Sequence, residues 1–160
     1  MTKKPVSETK DSRRKSVSKS IYRILFTSYS ALLIWELFLG RYRSFGGPRR
    51  YNLTPLKTII GYLEHFESFG AKIVAINLAG NVLAFLPLGF FLPIVFKRIS
   101  GMLSAVIVTI LTSITAEVIQ FALNVGGFDV DDILLNTLGG AIGFLLYKIA
   151  YRRRINLHLK

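Results

Sequence analysis

Four apolar runs, at 21–40, 73–96, 102–123 and 133–150, constrain this chain of 160 residues more than any other feature of it. Each is close to the roughly 20 residues that a helix needs to cross a hydrocarbon core about 30 Å thick. Such a core holds no water to satisfy open backbone groups, so every run must be helical. The runs therefore predict an all-α fold: a multi-pass transmembrane bundle of about four helices, surrounded by a lipid bilayer. The sequence is 51% hydrophobic, more than a soluble domain of this size needs for its core.

The chain carries 21 Lys and Arg against 9 Asp and Glu, a net charge of +12. Such an excess suits nucleic acid, anionic lipid, or the cytoplasmic loops of a membrane protein. The apolar runs select the last two, and no nucleic-acid recognition motif accompanies the basic stretches. The absence of cysteine excludes disulfides, thiolate nucleophiles and cysteine metal sites.

The basic residues also set a direction. With the amino terminus in the cytoplasm, four crossings put Arg41, Arg43, Arg49, Arg50, Lys57 and Lys72 outside, and the other 15 of the 21 basic residues inside. Cytoplasmic loops are the ones enriched in Lys and Arg, so both termini are expected in the cytoplasm. Residues 1–20 read as a disordered basic tail, 21–151 as the transmembrane domain and 152–160 as a second basic tail. The outer arginines run against the charge rule. They are expected to meet acidic partners or anionic lipid headgroups. Between the first two spans, Thr54 before Pro55 reads as the cap of a short helix with proline at its first position. Ile59, Ile60, Leu63 and Phe66 fall near helical spacing, as in an amphipathic helix lying at the interface.

With this topology, polar residues from separate stretches reach one depth. Glu36 ends the first span, while Asn77 and Asn81 lie in the outer half of the second. Glu117 and Gln120 lie near the outer end of the third. Asp129, Asp131 and Asp132 precede the fourth, and Asn136 is about one turn into it. Charged groups within a span cost roughly 2.5–3.5 kcal/mol each on insertion scales, so they are functional candidates by default. Gly139 and Gly143, with Ala79 and Gly80, are small enough to let helices approach closely around such a cluster. One or two of the aspartates serve to cap the fourth helix, whose positive dipole end they face. As oxygen donors, Asp129, Asp131 and Asp132 are also candidate ligands for a hard cation, Mg²⁺ or Ca²⁺.

The stretch Ile76-Asn77-Leu78-Ala79-Gly80-Asn81, continuing to Leu86-Pro87-Leu88-Gly89-Phe90, resembles the signature of the VanZ-like family. So do Glu117-Val118-Ile119-Gln120, the run from Phe128 through Asp129, Asp131 and Asp132 to Asn136 and Gly140, and the loop segment Asn52 to Thr58. These motifs occur in order across nearly the whole chain. The resemblance implies a small multi-pass protein of the bacterial cytoplasmic membrane. The family's namesake is associated with teicoplanin resistance, which implies a role at the cell envelope.

Two function classes follow. In the first, a ligand-binding cluster of Asn77, Asn81, Glu117, Gln120, Asp129, Asp131, Asp132 and Asn136, with Arg41 and Arg43, faces outward. It holds a lipid-linked cell-wall precursor, an anionic lipid or a glycopeptide antibiotic. In the second, the protein is a metal-dependent intramembrane enzyme acting on a lipid-phosphate or peptidoglycan precursor. Glu117 is then the candidate catalytic acid or base. The sequence lacks a paired nucleophile and base, which favours binding over catalysis.

The topology has a direct check. Single cysteines placed as Gly47→Cys, Ile99→Cys and Leu157→Cys have no native thiol to compete with. A membrane-impermeant maleimide applied to intact cells should label only position 47. Labelling at 99 would reverse the orientation.

Overall fold

The computed structural model describes residues 6–40 and 48–158, with Arg41 and Arg43 outside the described residues. Six helices and a two-residue ladder follow one another along these segments: α1 (Val6–Leu39), β1 (Tyr51–Asn52), α2 (Lys57–Glu64), α3 (Phe66–Phe69), α4 (Ala71–Val95), α5 (Met102–Leu123), β2 (Phe128–Asp129) and α6 (Val130–His158). Four stretches are long and apolar enough to cross a membrane: Lys19–Leu39, Ala71–Val95, Met102–Leu123 and Val130–Tyr151. At 1.5 Å per residue they span about 31–37 Å, enough for a hydrocarbon core. Their outer surfaces are apolar. Leu32, Leu83, Leu103 and Leu123 are each more than 60% exposed, which suits a lipid surround and would be an aggregation hazard in water.

The bundle is built on α4 and α6. Glycine provides the contact: a Cβ on Gly139 would strike the Val82 carbonyl, one on Gly143 the Leu86 carbonyl, and one on Gly89 the Gly140 carbonyl. Backbones this close gain dispersion contacts that a lipid-facing surface lacks, the usual basis of helix association in membranes. The small-residue spacing on the fourth span thus marks a real interface. Its partner residues differ from the expectation: a Cβ on Gly80 meets nothing within 4 Å, and Ala79 is exposed.

Helix α1 packs more loosely, through Leu33 and Leu37, onto Phe85, Leu88 and Leu92 of α4 and Ala116 of α5. Helix α4 continues through both Pro87 and Pro93. Pro87 has no N–H to give the carbonyl one turn back. Next to that weakened turn the Tyr29 hydroxyl of α1 donates to the Ala84 carbonyl at 2.7 Å, the kind of rescue by a neighbouring helix that proline in a span requires.

Three boundaries differ from the sequence reading. Helix α1 begins at Val6 and α6 continues to His158, so most of both basic tails extends the adjoining spans as helix. Neither stretch contains an internal Gly or Pro to stop it. The Thr54-Pro55 segment caps no helix. It forms a turn, closed by the Lys57 N–H on the Thr54 carbonyl at 3.3 Å, with Pro55 and then Leu56 at φ 66° and ψ −3°. Those angles describe a type II turn, with leucine where glycine is usual. Finally, β1 and β2 pair in parallel, Tyr51 with Phe128 and Asn52 with Asp129, a short ladder that helical periodicity cannot reveal.

The α4–α6 contact is open to a paired test. Gly143→Ala should destabilise the protein by about 1–3 kcal/mol, as overpacking does, and lower its melting temperature in detergent. Gly80→Ala, with open space around it, should leave the melting temperature unchanged or slightly raised. Equal effects of the two would refute the interface.

Candidate functional site

The polar residues gather where α1 ends and α4 and α6 begin. Termini of all four spans and the start of α2 meet at this end of the bundle, and each has backbone groups with no partner inside its own helix. At the start of α2, the Asp131 carboxylate accepts the N–H groups of Leu56 at 2.5 Å, Thr58 at 2.7 Å and Ile59 at 3.1 Å. Asp131 is fully buried. A buried carboxylate is tolerable when several donors and a helix amino terminus compensate its charge. The same contact holds Leu56 in its left-handed conformation, which costs a side-chain-bearing residue of order 1 kcal/mol or more.

Asp129 performs the equivalent role for α6. Its Oδ1 accepts the Asp131 N–H at 2.9 Å and the Asn52 amide at 3.0 Å, while its Oδ2 accepts the Thr58 hydroxyl at 2.6 Å. Glu117 of α5, 3% exposed, accepts the Asp129 N–H at 2.9 Å. At the end of α1, the buried Gln120 amide donates to the Leu37 carbonyl at 2.8 Å. Asn81 of α4 donates to Asp132 at 2.6 Å. Side chains from α4, α5, α6 and the β1–α2 segment thus form one connected layer.

Above this layer opens a cleft of about 440 Å³, with Arg50, Asn52, Tyr62, Asn77, Asp129 and Asp132 among its lining residues. The sequence-predicted set is divided by it. Asn77, Asp129 and Asp132 line the cleft, and the Asn77 amide folds back to the Ile73 carbonyl of its own helix. Asn81 reaches the cleft through Asp132, and Glu117 through the Asp129 backbone. Asp131 and Gln120 are buried beneath and committed to helix ends. Asn136 lies apart, donating to Ser113 at 2.9 Å with its buried Oδ1 unpartnered. Glu36 is exposed on α1. Arg49 sits with its guanidinium 5.5 Å from the centre of the Phe121 ring, a cation–π contact.

The aspartates proposed as metal ligands turn towards different donors, and among the described residues no three His, Asp or Glu side chains are placed to share an ion. Arg50, Asn52, Thr58 and Tyr62 carry much of the site without having been singled out as ligands from the residues alone. For Thr58 and Tyr62 a signal existed: they are four apart and share a face of α2. Burial pushes the Tyr62 phenol above its usual value of 10.0, and the negative charges of Asp132 and Asp129 push it the same way.

Comparison with known proteins agrees along the length of this architecture. The VanZ/LLP1 family model matches residues 22–151. Protein VanZ of Enterococcus faecium is 31% identical over 139 residues, covering 84% of this chain and 78% of that protein. No solved structure matches.

The Tyr62 environment yields a titration with a definite sign. Tyrosine loses a proton to become negative, so nearby carboxylates oppose its ionisation. In protein carrying ring-labelled tyrosine, the Tyr62 resonance should titrate above the exposed tyrosines, and Asp132→Asn should move it back towards 10.0. An unshifted or upward-moving titration in the variant would separate Tyr62 from Asp132.

Proposed function

Because the chain belongs to the VanZ-like family, we propose that it is a bacterial cytoplasmic-membrane protein that binds an envelope ligand in an outward-facing polar cleft and thereby contributes to teicoplanin tolerance. The ligand is a lipid-linked envelope molecule or the glycopeptide itself. The carrying observation is the cleft of about 440 Å³ over a buried, hydrogen-bonded layer, at the end of the bundle where α4 and α6 begin. The count of basic residues supports an outward-facing position for that end. The family relationship supports the envelope phenotype.

The chemistry of the cleft suits recognition. Its carboxylates and amides accept and donate hydrogen bonds, Arg50 supplies a positive charge at the wall, and Tyr62 adds an aromatic face. Polar groups held by a layer beneath them lose little freedom when a ligand arrives, which favours binding. Asp129 and Glu117 already satisfy backbone donors.

The reading is tested in cells expressing the protein, challenged with teicoplanin. Asp132→Asn and Tyr62→Phe keep the shape of the cleft wall, and Glu117→Gln keeps an oxygen for the Asp129 N–H. All three variants should reach the membrane in normal amounts. Asp132→Asn and Tyr62→Phe should return the inhibitory concentration to that of cells lacking the gene. Full tolerance in both would place the function outside the cleft.

A further inference from the structure

A second hollow adjoins the cleft. It is a groove of about 300 Å³ along one face of α2 and α3, lined by Thr58, Gly61, Tyr62, His65 and Phe69. Tyr62 belongs to both cavities, so the wall of the polar cleft is the end of the groove. The two differ in character. The cleft presents carboxylates, amides and a guanidinium. The groove is mostly carbon, with the Tyr62 and Phe69 rings edge to face at 5.3 Å and His65 against Phe69 at 6.3 Å. Gly61 leaves its floor open, since a Cβ there meets nothing within 4 Å.

The surroundings bring this groove to the lipid surface. Asp131 binds the start of α2 to the start of α6, which fixes α2 beside the ends of the spanning helices. Phe69, which lines the groove, is 45% exposed and stands just before α4 begins at Ala71. An exposed aromatic ring at the start of a membrane span suits the lipid interface. A molecule already in the bilayer can therefore reach the groove sideways and the cleft from its side.

We infer that the two cavities form one bipartite site for a membrane amphiphile, with a hydroxyl-rich head in the cleft and a hydrocarbon chain along the α2–α3 groove. The inference rests on the cleft being the ligand site and adds the chemical class. A simple anion in the cleft would face Asp129 and Asp132, and a simple cation would face Arg50. A neutral polyol meets both: its hydroxyls donate to carboxylates and accept from guanidinium and amide, and its ring carbons lie on Tyr62. The chain then buries its methylenes in the groove. The occupant that fits is a glycolipid drawn from the membrane.

The test uses full-length protein in phosphatidylcholine nanodiscs and a dodecyl glucoside carrying a diazirine at the end of its chain. On illumination the tail should crosslink to residues 58–69, located by mass spectrometry. Unlabelled dodecyl glucoside should compete and free glucose should not. Gly61→Phe fills the groove and should cut crosslinking there roughly tenfold, the loss expected when about two methylenes lose their burial. Gly61→Ala adds only a methyl group at the groove floor and should reduce crosslinking far less than Gly61→Phe, which separates blockage by size from misfolding. Asp132→Asn should weaken the capture by removing an acceptor for the head.

Two results overturn the inference while leaving the cleft as a ligand site: competition by free glucose equal to that by dodecyl glucoside, or full crosslinking in Gly61→Phe. Crosslinks spread evenly over the apolar faces of α1, α4 and α5, with no competition and no effect of Asp132→Asn, would overturn both this inference and the reading of the cleft on which it rests.

Discussion

The backbone groups at helix ends govern this structure. A helix leaves about four N–H groups unpaired at its start and four carbonyls at its finish. Where such groups are buried away from water they need partners within the protein. Here α1 finishes, and α2 and α6 start, at the same end of the bundle. Side chains from neighbouring elements supply the missing partners: Gln120 for α1, Asp131 for α2 and Asp129 for α6. Removing Asp131 would leave three donors unmet, each costing about 1–3 kcal/mol if it stayed buried. The acidic cluster thus begins as a structural necessity.

The cleft then forms in the space that necessity creates. Once Asp129 and Asp131 hold the β1–α2 segment against α6, Asn52 and Tyr62 are placed opposite Asn77 and Asp132, and the cleft between them is formed. The close glycine contacts between α4 and α6 keep Asn81 within reach of Asp132. The residues divide by depth. Asp131, Gln120 and Glu117 are buried supports, while Arg50, Tyr62, Asn77 and Asp132 face the open space.

The spans were legible because a bilayer leaves one solution for an apolar run of this length, and 102–123 matches α5 residue for residue. That Asn81, Glu117, Asp129 and Asp132 come together was legible from topology, since they had to share a depth once the spans were set, while Glu36 and Asn136, expected at the same depth, stand apart. Their division of labour was not. Whether an aspartate caps a distant helix, as Asp131 does for α2, depends on where the 48–57 segment returns, and periodicity carries no such information. The left-handed Leu56 was hidden for the same reason: leucine is a poor local choice there, and a tertiary contact overrides the preference. Tyr62 was readable as part of an amphipathic helix but not as the shared wall of two cavities.

The central claim is that the Asp131 carboxylate fastens α2 to α6 and so makes the cleft. Amide hydrogen exchange in nanodiscs measures this directly. In the native protein the N–H groups of Leu56, Thr58 and Ile59 should exchange slowly, although this segment lies outside the spans. In Asp131→Asn all three should exchange far faster while the amides within α4, α5 and α6 keep their protection. If the three amides exchange in the native protein as fast as an unstructured chain, or if Asp131→Asn leaves their protection intact, the account is contradicted.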